Sequence, residues 1–279
     1  MRTSSIGAIA GVVVVALALS SIVLAQDAVP GLTGVPQRPT TLYNKLDAAG
    51  GKAGPAPRRD LSGSWTGPLE PLKLGDVPAL TPLGQQRFKL NIPDPFRAHS
   101  NDPWATCDPF GFPRSTTNET RGVTFAPLPG RLAIMTQYGR IWRTVWMDGR
   151  ELPKNVGARG GPDPRWYGYS VGHWEGDYTL VVDTTGVNDK TWVDRRGYPH
   201  SVDMRAQERY TRVDHDTLEL TVTVDDPKIY TNPFVAVTNR FKWIPNQEDE
   251  EQFCVPSEMI DYIKIIALPA GQEAVTGQK

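Results

Sequence analysis

Leu218, Leu220, Val222 and Val224 alternate with Thr217, Glu219, Thr221 and Thr223. That period of two places every apolar side chain on one face of a half-buried β-strand. The stretch before it, from Glu208 to Val213, has the same character, and Asp214-His215-Asp216 between them reads as a hairpin turn. A second hairpin runs from Tyr167 to Gly186, turning at Glu175-Gly176-Asp177. The same pattern predicts strands near Val123–Pro127, Leu132–Tyr138, Ile141–Met147, Tyr167–Trp174, Tyr178–Thr184, Ala206–Val213, Thr217–Val224 and Val235–Trp243. Consecutive antiparallel strands in this number predict an all-β fold, an up-and-down barrel or strongly curled sheet, because closure removes exposed edges.

The connections alternate in length. Those at Gly139-Arg140, Glu175–Asp177 and Asp214–Asp216 are short, whereas Leu128–Arg131, Asp148–Trp166, Thr185–Arg205 and Asp225–Phe234 form the other set. In a pure meander the two sets close opposite ends, so the longer loops frame one mouth. Long loops on a rigid scaffold are where function collects, and barrel mouths commonly hold small ligands.

Helix is expected in two short pieces. Thr81 as N-cap and Pro82 at the first position predict Pro82–Leu90. Ser257 followed by Met259, Ile260, Ile263 and Ile266 predicts a C-terminal helix to Ala267, packed on the barrel. Between Asn91 and Arg114 the prolines and the aromatic Phe96, Trp104, Phe110 and Phe112 indicate a segment that wraps the barrel.

The N-terminus changes the picture of location. A positive start, an uncharged apolar run from Ile6 to Leu24 and small residues near Ala25 have the form of a secretory signal peptide over 1–25. A Pro- and Gly-rich flexible arm follows over 26–59, then one β-barrel-like domain over 60–270 and a flexible tail over 271–279. The expected product is periplasmic or secreted, with no integral membrane span once the signal is removed. Its two cysteines, Cys107 and Cys254, are then expected to form a disulfide. Lys and Arg number 30 against 31 Asp and Glu, without a block of like charge, which argues against nucleic acid as a partner.

DLSGSW, CDPFGFPR, DPRWYGYSVG, WEGDYTLVVDTTG, ERYTRVDHDTLELTVTVDDP and FCVPSE occur together here. In this combination the chain resembles an uncharacterised family of exported bacterial proteins, which implies export and no particular reaction. Gly63-Ser64-Trp65, far upstream of the hairpins, also resembles the Gly-x-Trp opening of lipocalin-like barrels, an analogy of fold and not of function.

Candidate chemistry gathers at the long loops. His200 beside Asp194, Arg205 and Asp225 has the composition of an acid/base site, the Arg suiting an anionic group. Trp166, Trp192, Tyr230, Asp189 and Glu208 are the expected ligand contacts at the same mouth. The reading is an exported protein binding a small, partly apolar organic molecule. The alternatives are a hydrolase, lyase or isomerase using His200, and an envelope interaction protein contacting a partner through its arm. Gly168-Tyr169-Ser170-Val171-Gly172 matches the nucleophile elbow of α/β-hydrolases, but that chemistry needs a helix after the serine, and a strand is predicted. His99, His173, His200 and His215 lack metal-ligand spacing and no cofactor motif is present, so neither metal nor cofactor is expected. Asn118-Glu119-Thr120 is a glycosylation sequon.

Overall fold

Nine strands close on themselves and a tenth lies outside. They are β1 (Gly63–Thr66), β2 (Lys73–Leu74), β3 (Val123–Leu128), β4 (Arg131–Thr136), β5 (Ile141–Trp146), β6 (Tyr169–Glu175), β7 (Thr179–Thr185), β8 (Arg205–Arg212), β9 (Thr217–Asp225) and β10 (Phe234–Trp243). β3 to β10 follow one another around the sheet, and β1 pairs with both β3 and β10. The short β2 adds to β10 at Val237 and Thr238. This computed structural model describes residues 54–67, 73–94, 99–117, 122–245 and 253–270. The expected signal segment 1–25, the arm up to residue 53, Phe96, the sequon and the tail 271–279 lie outside the described residues.

The expected barrel is therefore present, with two corrections. Gly63-Ser64-Trp65 does not merely precede the barrel but sits on β1, the strand that closes it, with Trp65 0% exposed. The second correction follows from parity. If every neighbour in a closed ring of strands ran antiparallel, the number of strands would have to be even. Nine strands force one parallel pair, and it is β5–β6. The connection 147–168 crosses from one end of the barrel to the other to make it, so the hairpins upstream are inverted relative to a pure meander. The turns 129–130, 176–178 and 213–216 thus share one end, and 137–140, 186–204 and 226–233 share the other. The short connection 137–140 is at the long-loop end, not opposite it.

Alternation makes the core. On β8 and β9 every second side chain is buried, including Leu218, Leu220, Val222 and Val224 at 0–3% exposure. They meet Leu180 and Val182 of β7, Phe125, Ile134, Val145, Phe241 and Trp65 inside the barrel. Each fully buried side chain of this size contributes about 1.5–3 kcal/mol.

Both ends are sealed. At the turn end Arg212 lies 4.9 Å from the Trp65 ring and donates to the carbonyls of Asp60 and His215. Residues 58 and 59 also reach this end, where Arg58 pairs with Asp177 and the Arg59 N–H donates to the Asp177 carbonyl. At the loop end, helix α1 (Pro82–Leu90), capped by Thr81 as expected, lays Phe88 against Tyr198 with ring centroids 4.8 Å apart. The wrapping segment then enters the barrel end as a plug. Phe110 and Phe112 are buried, as are all four residues of the single-turn helix α2 (Arg114–Thr117).

The C-terminal helix α3 (Pro256–Tyr262) continues through a π-helical segment, Ile263–Ala267. It starts two residues earlier than expected, with Val255 and not Ser257 at the cap. Only part of the expected stripe faces inward. Met259 and Ile263 are half-buried and Ala267 is buried, whereas Ile260 and Ile266 are 51% and 54% exposed. The Cys107–Cys254 disulfide, with Cα atoms 5.3 Å apart, ties the residues just before this helix to the plug.

The bridge spans 147 residues of sequence, and in the chain-entropy model a loop of that length contributes about 5 kcal/mol. Replacing both cysteines by serine is expected to lower the denaturant-unfolding free energy by several kcal/mol, up to about that value. Identical midpoints for the two proteins under non-reducing conditions would contradict this placement.

Candidate functional site

The long-loop end was the expected mouth, and the structure fills it with the protein's own groups. Within 186–204 the chain folds back on itself, pairing Trp192 with Pro199, while the Val193 N–H donates to the Tyr198 carbonyl at 2.7 Å. Asp194 is buried and accepts from the backbone N–H of Arg196 at 2.8 Å and from its guanidinium at 2.6 and 3.0 Å. Asp226 accepts from the N–H and hydroxyl of Ser201 at 2.6 and 2.8 Å. The Tyr230 hydroxyl donates to the Pro199 carbonyl. Asp189 pairs with Arg87 of α1 at 3.0 Å.

His200 is 0% exposed. Its Nδ1 lies 3.2 Å from the Ser201 carbonyl, which can only accept, so Nδ1 carries the proton and Nε2 accepts from the Thr191 hydroxyl at 3.0 Å. Burial pushes the imidazole below its usual pKa, outweighing the opposing influence of the Ser201 carbonyl and of Asp226. A neutral, doubly bonded, enclosed histidine holds a loop together and is not presented to a substrate. Arg205 and Asp225 sit opposite each other across β8 and β9 at the same end, but both are exposed. Among the described residues no hydrogen bond or ion pair joins any two of His200, Asp194, Arg205 and Asp225. The sequence placed these four at one end correctly, yet they form no common site. Trp192 and Tyr230, 4% and 2% exposed, are packed inside and offer no contact surface.

Glu208 is not at the mouth either. It points into the barrel, where both its oxygens accept from Arg143 at 2.8 Å. The same guanidinium reaches Ser170 and Thr184 at 3.2 and 3.3 Å and lies 4.2 Å from the Phe112 ring of the plug. Tyr210 donates to Glu208 at 2.8 Å. Burial alone would lower the Arg143 pKa, but the charge and hydrogen bonds of Glu208 prevail and raise it. Arg143, unsignalled in the sequence except as an Arg at an inward position of a strand, organises the interior. Ser170, also buried, lies within β6 and bonds Thr184 at 2.8 Å, so it is not a nucleophile at an elbow.

The two glycines of that motif have a different reason. A Cβ on Gly172 would stand 2.7 Å from the Met147 sulfur and 2.8 Å from Val145, so glycine is what lets β5 and the start of the crossover approach β6. Gly168, at φ +65°, turns the chain out of line just before β6. As a result β5 and β6 share two register pairs, Val145↔Ser170 and Trp146↔Val171, whereas β6 and β7 share seven. Below those two pairs the segment 165–168 leaves β5 and bonds to 186–188 instead.

The gap is a groove of about 340 Å³, within the range of small-molecule sites. Its walls are Trp142, Trp146, Trp166 and Tyr169, and its floor includes Arg143 and Ser170. Trp142 is 66% exposed and Trp166 half-buried. Tyr167, beside the floor, is pushed up to about 12 by burial, against the pull of Arg143, and stays a neutral phenol. Of the expected ligand contacts, Trp166 alone lines this groove. Among the described residues no cluster of three His, Cys, Asp or Glu is placed to hold a metal ion, and no helix is long and apolar enough to cross a membrane.

No family model, curated protein or solved structure matches this chain. The resemblances stated above therefore rest on their motifs alone.

Two outcomes check these assignments. Glu208→Gln leaves a buried guanidinium without its counter-charge and is expected to cost about 3–5 kcal/mol. Joint replacement of Arg143 and Glu208 by methionine should recover much of that loss, since replacing a whole buried pair is often neutral. Equal unfolding free energies for Glu208→Gln and the parent would refute the pair's role.

His200 gives a pH signature. Its folded pKa lies below 6.5, so the unfolded chain binds the proton more readily. Its contribution is complete above about pH 6.5 and is lost as pH falls through that value toward the folded pKa. Between about pH 7 and about pH 5 the parent's thermal midpoint should fall more steeply than that of His200→Gln. Parallel curves would mean that His200 titrates normally.

Proposed function

We propose that this protein binds a small, flat, partly apolar organic molecule in the groove beside the parallel β5–β6 pair. The observation that carries this reading is the exposure of Trp142 next to Trp146, Trp166 and Tyr169 in a concavity of small-ligand size. An aromatic ring held between such walls gains burial together with stacking worth about 0.5–1.5 kcal/mol per ring pair. Trp142, Trp146 and Tyr169 lie on β5 and β6, so little ordering of these walls is needed on binding. The apolar segment at the N-terminus and the Cys107–Cys254 bridge support action outside the cytoplasm, in the periplasm or secreted.

A thermal-shift screen with single- and fused-ring aromatic compounds tests the reading, because a ligand at a hundred times its Kd stabilises by about 2.7 kcal/mol. A compound that raises the midpoint should bind Trp142→Ala about 3- to 10-fold more weakly, in line with loss of one stacked ring. The fold should be undisturbed, since Trp142 is mostly solvent-exposed. If no ring compound shifts the parent, or if Trp142→Ala binds equally well, the groove is not the site.

A further inference from the structure

The rim of the groove carries more positive than negative charge. Four cations touch its aromatic walls. The Arg165 guanidinium lies 4.2 Å from the Tyr169 ring, Arg150 and Arg131 lie 3.6 and 5.7 Å from Trp146, and the Lys190 ammonium lies 5.9 Å from Trp166. Arg150 is answered by Asp148 at 2.6 Å, and Arg143 on the floor is answered by Glu208. Arg131, Arg165 and Lys190 form no ion pair with any described residue. Two of the nearby acids are engaged elsewhere. Asp189 pairs with Arg87, and Asp183 accepts from Gln207 at 2.9 Å. Asp163 meets the wall only through its backbone carbonyl, which accepts from the Tyr169 hydroxyl at 2.8 Å, and its exposed carboxylate forms no ion pair with any described residue.

The backbone of Arg165 is held in place. Its N–H donates to the Gly186 carbonyl at 3.0 Å, and its own carbonyl accepts from Asn188 and Gly168 at 2.9 and 3.2 Å. Its side chain is stacked on Tyr169. A guanidinium stacked on a ring keeps its in-plane donors available, and their fork matches a carboxylate in bidentate geometry.

We infer that the ligand class of this groove is an aromatic carboxylate, its ring among the tryptophans and its carboxylate on Arg165. This rests on the reading of the groove as a small-molecule site. Lys190 and Arg131 add a field that draws anions toward the groove without contacting them closely.

Calorimetric titration of the full mature protein with 1-naphthoate and with its neutral isostere 1-naphthamide, at low ionic strength, tests the inference. The acid should bind the parent about tenfold or more tightly than the amide, the scale of a hydrogen-bonded charged contact. In Arg165→Gln that ratio should fall to within about twofold, and in Arg165→Lys it should be intermediate, since an ammonium keeps the charge and loses the fork. Added salt should weaken the acid and reduce the ratio. Equal binding of acid and amide to the parent would overturn the inference and leave the small-molecule reading intact. A preference for the acid that survives in Arg165→Gln would overturn the assignment to Arg165. Binding of neither compound would count against the groove itself, and the inference would fall with it.

Discussion

An odd number of strands cannot close into a ring with every neighbour antiparallel. With nine strands in the barrel, one pair has to run parallel, and the chain reaches that geometry through the long crossover 147–168 between β5 and β6. A parallel pair made by a crossover has no hairpin to hold its register. Here the register is held over two residue pairs and the strands then part. The separation exposes Trp142 and opens the groove, whereas the hairpin-linked walls of the barrel are continuous. Topology, packing and the candidate site are thus three consequences of one constraint.

The interior answers a second constraint, that a buried charge must be paired and hydrogen-bonded. Arg143 and Glu208 do this across the barrel together with Ser170, Thr184 and Tyr210, which leaves only the Arg143 Nε of the pair buried without a partner. Such a pair is weak as a source of stability, but its geometry links β5, β6, β7 and β8, the strands on and next to the parallel pair. Phe112 of the plug covers it from the loop end. Arg143 therefore sits at the floor of the groove and at the centre of the core, which ties the shape of one to the integrity of the other. The disulfide fastens the plug from outside.

Most of the barrel was legible in the sequence because β-alternation is a local signal. Thr217 to Val224 announces its buried face with no knowledge of its neighbours. Parity is not local. Nothing in the crossover's composition says that it spans the barrel end to end, so the loops were assigned to ends by a meander that breaks at β5–β6. β1 shows in the sequence only as the Gly-x-Trp resemblance and not as a strand, being four residues long and far from its partners in sequence. The C-terminal stripe was half right, because the π-helical segment changes the angular step between residues and turns Ile266 outward.

The site was less legible than the fold. His200, Asp194, Arg205 and Asp225 are rich in chemistry as residue types, but an isolated sequence does not tell a buried, satisfied histidine from an offered one. Their loop carries polar residues because its backbone needs partners inside a packed end. The useful signal was present and read differently. Gly168 and Gly172 looked like a hydrolase elbow, yet they mark a close strand approach and a turn, and they lie beside an unusual density of Trp and Tyr.

The indole N–H resonances offer the most direct test of the central claim, that the parallel pair is the binding site. The chain has eight tryptophans, each with one such signal in a two-dimensional nitrogen–proton NMR spectrum. Titration with a small aromatic acid should shift Trp142, Trp146 and Trp166 and leave Trp65, Trp104, Trp192 and Trp243 in place. Movement of Trp192 with Trp142, Trp146 and Trp166 unmoved would put the ligand at the long-loop end and contradict the account.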